Sequence, residues 1–507
     1  MTLGMNLGGI TYYSPECPFI DRMRMAGDPL AKTGNASLPV GAFAADTALP
    51  SAAGAVPRVA MLDPGTHDYV ILCDPTVAKV SVSGVPKAIV PADGRATFTL
   101  TRPDLGASVQ VTVVSTGPVA KFVLMRADHE AAYLKGEVFN PDFIARVAPF
   151  AILRTLDWNV TNQDSFPDRR PLLTNAYFTS ARGGMPAELV GQFAAKVGRP
   201  IWYPIHHLMT DAQMLDTFHA LDRTAGSQKI RLEWSNEFGW TYHAKWAAQQ
   251  ASARYGMAKP QPTDIRRYSA YRSGLMAKLA ASVSDRFTVE LCSQATSNNA
   301  ATMAAMLAGW DESGAPRSLI AGYSNAGYLN FNYPKTELPA LLALWKANDA
   351  DGFYKSVTAK IPVLAARHKA AADCWRTQGI AFDVYETDIS ITTSAPSMTD
   401  AAERAAFLAW LDPLVHSDRM ADLIAQNAQA AFDAGARDVL HYQLTGTLTQ
   451  FGVWGALPHI AGTPYPLYDR LVKMARPDPF SALAARVADM QRQLAALAGD
   501  IAAAAVG

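Results

Sequence analysis

The sequence predicts a (β/α)8 barrel, an α/β fold whose parallel sheet closes on itself, and three observations carry that prediction. From about residue 129 onward, short apolar runs alternate with longer helical stretches, the pattern of βα units. Seven such runs can be named after that point, and the start of the chain supplies an eighth. No Gly-x-Gly-x-x-Gly turn or phosphate loop follows any of them, so the competing open, doubly wound sheet lacks its marker and nucleotide binding is not expected.

The first stave is the glycine-rich run Leu3-Gly-Met-Asn-Leu-Gly-Gly-Ile10. The other seven are 150–156, 200–205, 229–234, 287–291, 318–323, 381–385 and 439–443, each preceded by a plausible helix. Closure at eight is thereby satisfied. Between the first two staves the texture changes. Residues 31–56 are rich in Ala, Gly, Pro and Ser, and residues 57–128 alternate in the β fashion, as in Val80-Ser-Val-Ser-Gly-Val85 and Val109-Gln-Val-Thr-Val-Val114. A small β-sandwich inserted after the first strand is expected, acting as a cap on the barrel or as a sugar-binding module. After Pro479, residues Phe480, Leu483, Val487, Met490, Leu494, Leu497, Ile501 and Ala504 alternate by threes and fours, which predicts a coiled-coil-like helix that either joins copies of the chain into a homo-oligomer or docks on its own domain. The expected division is 1–30 (first strand and start of its loop), 31–128 (linker and sandwich), 129–475 (the rest of the barrel) and 476–507 (heptad helix).

Composition excludes several function classes. In 507 residues, 45 basic side chains balance 45 acidic ones and neither sign gathers in runs, so no footprint for nucleic acid or an anionic membrane is present. The four cysteines, Cys17, Cys73, Cys292 and Cys374, lie far apart without zinc or disulfide spacing, and free thiols are expected. No segment reaches the roughly 18 apolar residues of a membrane span, and the N-terminus lacks the pattern of a signal peptide. The expectation is a protein that stays inside the cell or leaves by a non-classical route, with no cofactor and no metal.

The chemistry is concentrated in two segments. Glu233-Trp-Ser-Asn236-Glu237-Phe-Gly-Trp240 closes the fourth strand, and Asp383-Val-Tyr-Glu386-Thr-Asp388-Ile-Ser390 closes the seventh. A carboxylate leaving a barrel strand at its C-terminal end points into the mouth, where such barrels keep their chemistry. Strands four and seven would set Glu237 and Glu386 across one opening.

These segments resemble clan A of the retaining glycoside hydrolases, whose barrels carry an Asn-Glu pair closing strand four and a Glu closing strand seven. Asn236-Glu237 is similar to the first element, and Glu386-Thr-Asp-Ile to the nucleophile motif of the xylanase-like members. The resemblance covers the barrel and implies a double displacement on a β-linked oligo- or polysaccharide. Glu386 would be the nucleophile and Glu237 the general acid/base, with the carboxyls roughly 5 to 5.5 Å apart. It further implies that Arg154, near the end of strand two, holds Glu386 ionised, and that Asn236 binds the sugar 2-hydroxyl. Tyr323 or Tyr328 would present a phenol to the nucleophile, with Tyr323 preferred because it is closer to the strand end.

His206 and His207 end strand three, where an imidazole can bond a sugar hydroxyl; an adjacent pair without a carboxylate at ligand spacing is a poor zinc site. Sugars stack on aromatic rings, and Trp158, Trp202, Trp240 and Trp454 are candidate platforms, with Asp157-Trp158 as part of the subsite wall. Two other readings compete. Gly322-Tyr-Ser324-Asn-Ala-Gly327 suggests a serine hydrolase but has one residue too many for a nucleophile elbow. A non-catalytic carbohydrate-binding subunit of a larger assembly would account for the heptads but not for two retained carboxylates.

Overall fold

The computed structural model describes residues 1–27, 54–102, 108–162, 184–237, 244–294, 299–331, 337–393, 398–462 and 465–475. The heptad segment 480–504 and Trp240 lie outside the described residues. Eight strands form a closed parallel barrel: β1 Thr2–Asn6, β2 Leu153–Arg154, β3 Ile201–Ile205, β4 Ile230–Trp234, β5 Phe287–Cys292, β6 Ile320–Ala326, β7 Phe382–Thr387 and β8 Ala436–His441. Each pairs with its neighbour in sequence, and β1 pairs with both β2 and β8, which closes the ring. All eight expected staves are present.

Strand periodicity of two explains how the barrel is filled. Leu232 and Trp234 of β4 face outward into the core shared with the surrounding helices. Ile152, Trp202, Cys292, Ala326, Tyr385 and Leu440 face inward and form a separate apolar layer. Gly4 lies where no side chain fits, since a Cβ there would come within 2.6 Å of Ile152 Cγ2 and 2.7 Å of Leu440 Cγ. At the N-terminal floor Arg231 pairs with Asp383 at 3.1 Å and Asp438 at 2.7 Å, and Arg437 adds a second guanidinium to Asp383. Several helices begin at side-chain caps. Thr210 and Gln213 form a capping box for Asp211–Thr224, while Asn299, Asp349 and Ser417 cap later ones.

The insert after β1 consists of two three-stranded antiparallel sheets. Gly54–Ala60, Val109–Ser115 and Val77–Val82 make one, and Arg95–Arg102, Gly65–Cys73 and Phe122–Arg126 the other. Val80, Val111 and Val113 of the first share a core with Tyr69, Phe98 and Leu124 of the second. A buried clamp ties this unit to the loop after β1, where Arg22 donates to both carboxylate oxygens of Asp63 at 3.0 and 2.7 Å.

Cys17 and His459 adjoin Asp63, three groups close enough together to suggest a metal site. Hydrogen bonding argues against one. His459 Nδ1 accepts from the Ala461 amide, which leaves the imidazole proton on Nε2, the atom facing Cys17 Sγ at 3.8 Å and Asp63 Oδ1 at 3.9 Å. Binding through Nε2 would require an imidazolate, while Arg22 already occupies both oxygens of Asp63.

Candidate active site

The C-terminal ends of β1, β2, β4, β5, β6 and β7 converge on one polar cluster with Arg154 at its centre. The Arg154 guanidinium is fully buried. It makes a bidentate pair with Glu233 at 2.9 and 3.0 Å, donates to Glu386 Oε1 at 2.6 Å, and reaches Asn6 Oδ1 at 3.0 Å and Asn236 Oδ1 at 2.7 Å. Glu233 also accepts from Trp202 Nε1 at 2.8 Å. One cation thus fixes four residues from three strand ends, as a planar five-donor group can.

Glu386 accepts from Arg154 and, on its other oxygen, from the Tyr328 hydroxyl at 2.8 Å. Glu237 accepts from the Tyr385 hydroxyl at 2.8 Å and from Gln294 Nε2 at 3.3 Å. Burial, and then the charge of Glu386, push the Glu237 carboxyl up to about 7. Burial also holds the Tyr328 and Tyr385 phenols well above their ordinary range, so both remain donors. Asn236 adds a bond from Nδ2 to Asn162 Oδ1 at 3.1 Å.

Local backbone geometry delivers these groups. Past β4 the chain enters the left-handed region at Ser235 (φ 65°) and again at Glu237 (φ 42°), conformations that cost about 1–3 kcal/mol each for residues with a Cβ and cluster at functional sites. The register of β7 shifts against both neighbours, against β6 at Asn325/Ala326 and against β8 between Phe382 and Val384 and between Val384 and Thr387. Such a bulge breaks the in-out alternation. Consecutive residues Tyr385 and Glu386 therefore both serve the cluster, one bonded to Glu237 and the other to Arg154.

Several expected residues fall elsewhere. Tyr323 stands apart from Glu386. Strand β6 runs three residues beyond its expected end, so Tyr323 is in mid-strand with outward parity, stacked on Trp375 at 4.2 Å and bonded to Ser293 Oγ at 2.6 Å. Tyr328, two residues past the strand, takes the place beside Glu386. Trp158 is no subsite wall: it is fully buried against Phe193 at 5.0 Å and Phe143 at 6.2 Å. Trp202 is buried inside the barrel.

His206 and His207 are buried and stacked on each other at 4.5 Å; His206 Nδ1 accepts from the Leu208 amide, and His207 lies against Trp246 at 4.8 Å. Asp157 does reach the mouth. It accepts from the Tyr442 hydroxyl at 3.2 Å, and burial together with Glu386 pushes it up to about 6. Trp454 is half-buried beside Tyr442 and Tyr328, at 5.6 and 6.5 Å between ring centres. Asn6, Gln294, Tyr385 and Tyr442 were not anticipated. The positions of strand ends are a signal for Asn6, Gln294 and Tyr442, whereas the register shift on β7 hides Tyr385 from alternation.

No protein-family model and no curated protein matches the chain. Among solved structures it is similar to a GH10 xylanase from Thermobacillus composti (14% identity, 68% of this chain and 93% of that one, TM-score 0.33). It is also similar to a modular endo-β-1,4-mannanase from Cellulomonas fimi (12%, 65% and 64%, TM-score 0.34). A GH51 arabinofuranosidase from Xanthomonas axonopodis pv. citri is a third (12%, 66% and 66%, TM-score 0.37).

Proposed function

We propose that this chain is a retaining glycoside hydrolase acting on a β-linked oligo- or polysaccharide, with Glu386 as nucleophile and Glu237 as general acid/base. One observation carries the reading. Two carboxyls from distant strands serve one cluster in unlike settings: Glu386 is held by a guanidinium and a phenol, and Glu237 is kept protonated up to about 7. An acid that keeps its proton beside a carboxyl held by a guanidinium and a phenol is what double displacement requires.

In the first step a Glu386 oxygen bonds to the anomeric carbon as the bond to the leaving oxygen breaks, and the Glu237 proton passes to that oxygen. In the second step Glu237, now ionised, takes a proton from water, and the water oxygen displaces Glu386. Arg154 and Tyr328 orient the nucleophile. Asn236 is offered to the sugar 2-hydroxyl, while Asp157 and Trp454 line the approach. His206 and His207 follow directly on β3 at the same end of the barrel, where an imidazole is offered to a sugar hydroxyl.

Aryl glycosides test the two roles. Glu386→Ala abolishes turnover on every substrate, whereas Glu237→Ala retains activity on glycosides whose leaving group departs unprotonated, and added azide restores it further. Equal loss from both substitutions on such substrates refutes the assignment. Glycan binding without turnover, unaltered by Glu237→Gln, would make the chain a carbohydrate-binding subunit instead.

A further inference from the structure

Among the described residues, the exposed aromatic side chains are Tyr12 (40%), Tyr13 (58%) and Phe451 (62%). All three stand on loops that leave the C-terminal ends of β1 and β8, which are adjacent in the barrel. Their loops thus leave one arc of the barrel rim, formed by β1 and β8, and β8 pairs in turn with β7, the strand that carries Glu386.

The arc is built rather than loose. Tyr12 lies over Gly27, where a Cβ would come within 2.6 Å of its ring, and Tyr12 and Tyr13 meet edge to face at 5.1 Å. The inserted domain supports that patch from below. The Gly27 amide donates to Val59 O at 2.9 Å, and Arg58 reaches Gly27 O and Ala26 O at 2.7 and 2.9 Å. Phe451 sits in a tight turn closed by Thr449 and Gly452, and the loop after β7 is fastened to it through Thr393 N to Gln450 O at 2.9 Å. The Ile460 amide bonds Pro15 O at 3.3 Å, joining the β8 and β1 loops. Three residues on from Phe451, Trp454 lies beside Tyr442 and Tyr328, the last of these bonded to Glu386.

We infer that Tyr12, Tyr13 and Phe451 form a distal glycan platform that carries sugars of a chain beyond the one at the cleavage point, so that the substrate is a polymer or long oligosaccharide. This rests on the reading of the site as a glycosidase. Pyranose rings offer flat C–H faces that stack on aromatic rings, and rings already held in place bind without paying for side-chain ordering. The inserted domain acquires a task, which is to hold the outer end of the platform.

The test is length dependence. Xylo-, cello- and manno-oligosaccharides of two to six β-1,4-linked sugars are offered to the wild type and to Tyr12→Ala, Tyr13→Ala and Phe451→Ala. Their binding is also titrated in a Glu386→Ala background. The ratio of kcat/KM for the hexasaccharide over the disaccharide falls about ten-fold for each ring removed, the size of one lost stacking contact. The gain of affinity with length disappears in parallel. If the ratio is unchanged while glycosides are still cleaved, the platform is refuted and the active-site assignment stands. If no glycoside is cleaved but length-dependent binding is present and lost in the variants, the platform stands and the catalytic assignment falls. Absence of both binding and length dependence across the panel, or a change in oligomeric state on removing the rings, overturns the inference.

Discussion

Replacing Tyr385 by Phe removes one hydroxyl and leaves the ring that packs on Arg154 at 5.0 Å. The hydroxyl donates to Glu237 Oε1 at 2.8 Å, a bond that lowers the proton affinity of a carboxyl otherwise raised by burial and by Glu386. A hydrogen bond to a charged group contributes about 1.5–3 kcal/mol, and about 1.36 kcal/mol equals one pKa unit, so its loss raises Glu237 by about one to two units. In the proposed mechanism Glu237 is protonated in the first step, so the alkaline limb of kcat/KM should move to higher pH by the same amount. The assay is a pH profile on an aryl glycoside with a poor leaving group, since kcat/KM reports ionisations of the free enzyme. A good leaving group serves as control, because its departure needs no proton and its alkaline limb should barely respond. A variant that loses rate uniformly at all pH values, or whose limb moves to lower pH, refutes the account of how Glu237 is tuned.

Tyr328→Phe should lower kcat/KM by about 10- to 100-fold, the worth of a hydrogen bond to a charged group, while Tyr323→Phe should leave the kinetics near wild type. Arg154→Met strands Glu233 and Glu386 without their guanidinium. Breaking a buried pair in this way should cost about 3–5 kcal/mol, read from the urea midpoint, and Glu233→Gln in the same chain should recover part of the loss. Gly4→Ala places a methyl against Ile152 and Leu440 and should destabilise by about 1–3 kcal/mol with little effect on KM. Prolonged dialysis against EDTA should alter neither activity nor unfolding, because the Cys17, Asp63 and His459 cluster is closed by hydrogen bonds and by Arg22.

The barrel was legible because each stave is an apolar run of the right length separated by helical stretches, and that pattern survives with no reference to contacts. Glu237 and Glu386 were legible for the same reason: a strand end fixes where a side chain emerges. Positions within one strand were harder. Tyr323 was favoured over Tyr328 on proximity to an expected strand end, yet the strand continues to Ala326 and parity turns Tyr323 toward Trp375. Tyr385 could not be read at all from alternation, because the register shift on β7 suspends it. Trp158 misled in another way. Its polar neighbours Asp157 and Asn159 suggested a wet loop, whereas a short helical turn points the indole back into the Phe143 and Phe193 core.

The charge balance of the cluster links the fold to the chemistry. Among the described residues Glu233, Glu237, Glu386 and Asp157 all feel Arg154, and one guanidinium cannot compensate four buried carboxylates. Arg154 is committed by geometry to Glu233 on one edge and to Glu386 at its Nη1 end. Of the two carboxyls it does not touch, Glu237 is pushed up to about 7 and Asp157 to about 6, and burial raises Glu233 as well despite its paired guanidinium. Burial is the largest cause at Glu237 and Asp157 and the Glu386 charge the next, so a lysine or arginine added beside Glu237 would lower its proton affinity and weaken the acid. Introducing one, for example by Gln294→Lys beside Glu237, should therefore draw the alkaline limb of kcat/KM downward, opposite in sign to Tyr385→Phe. Two substitutions at the same carboxyl that moved the profile in the same direction would be incompatible with electrostatic control of the acid.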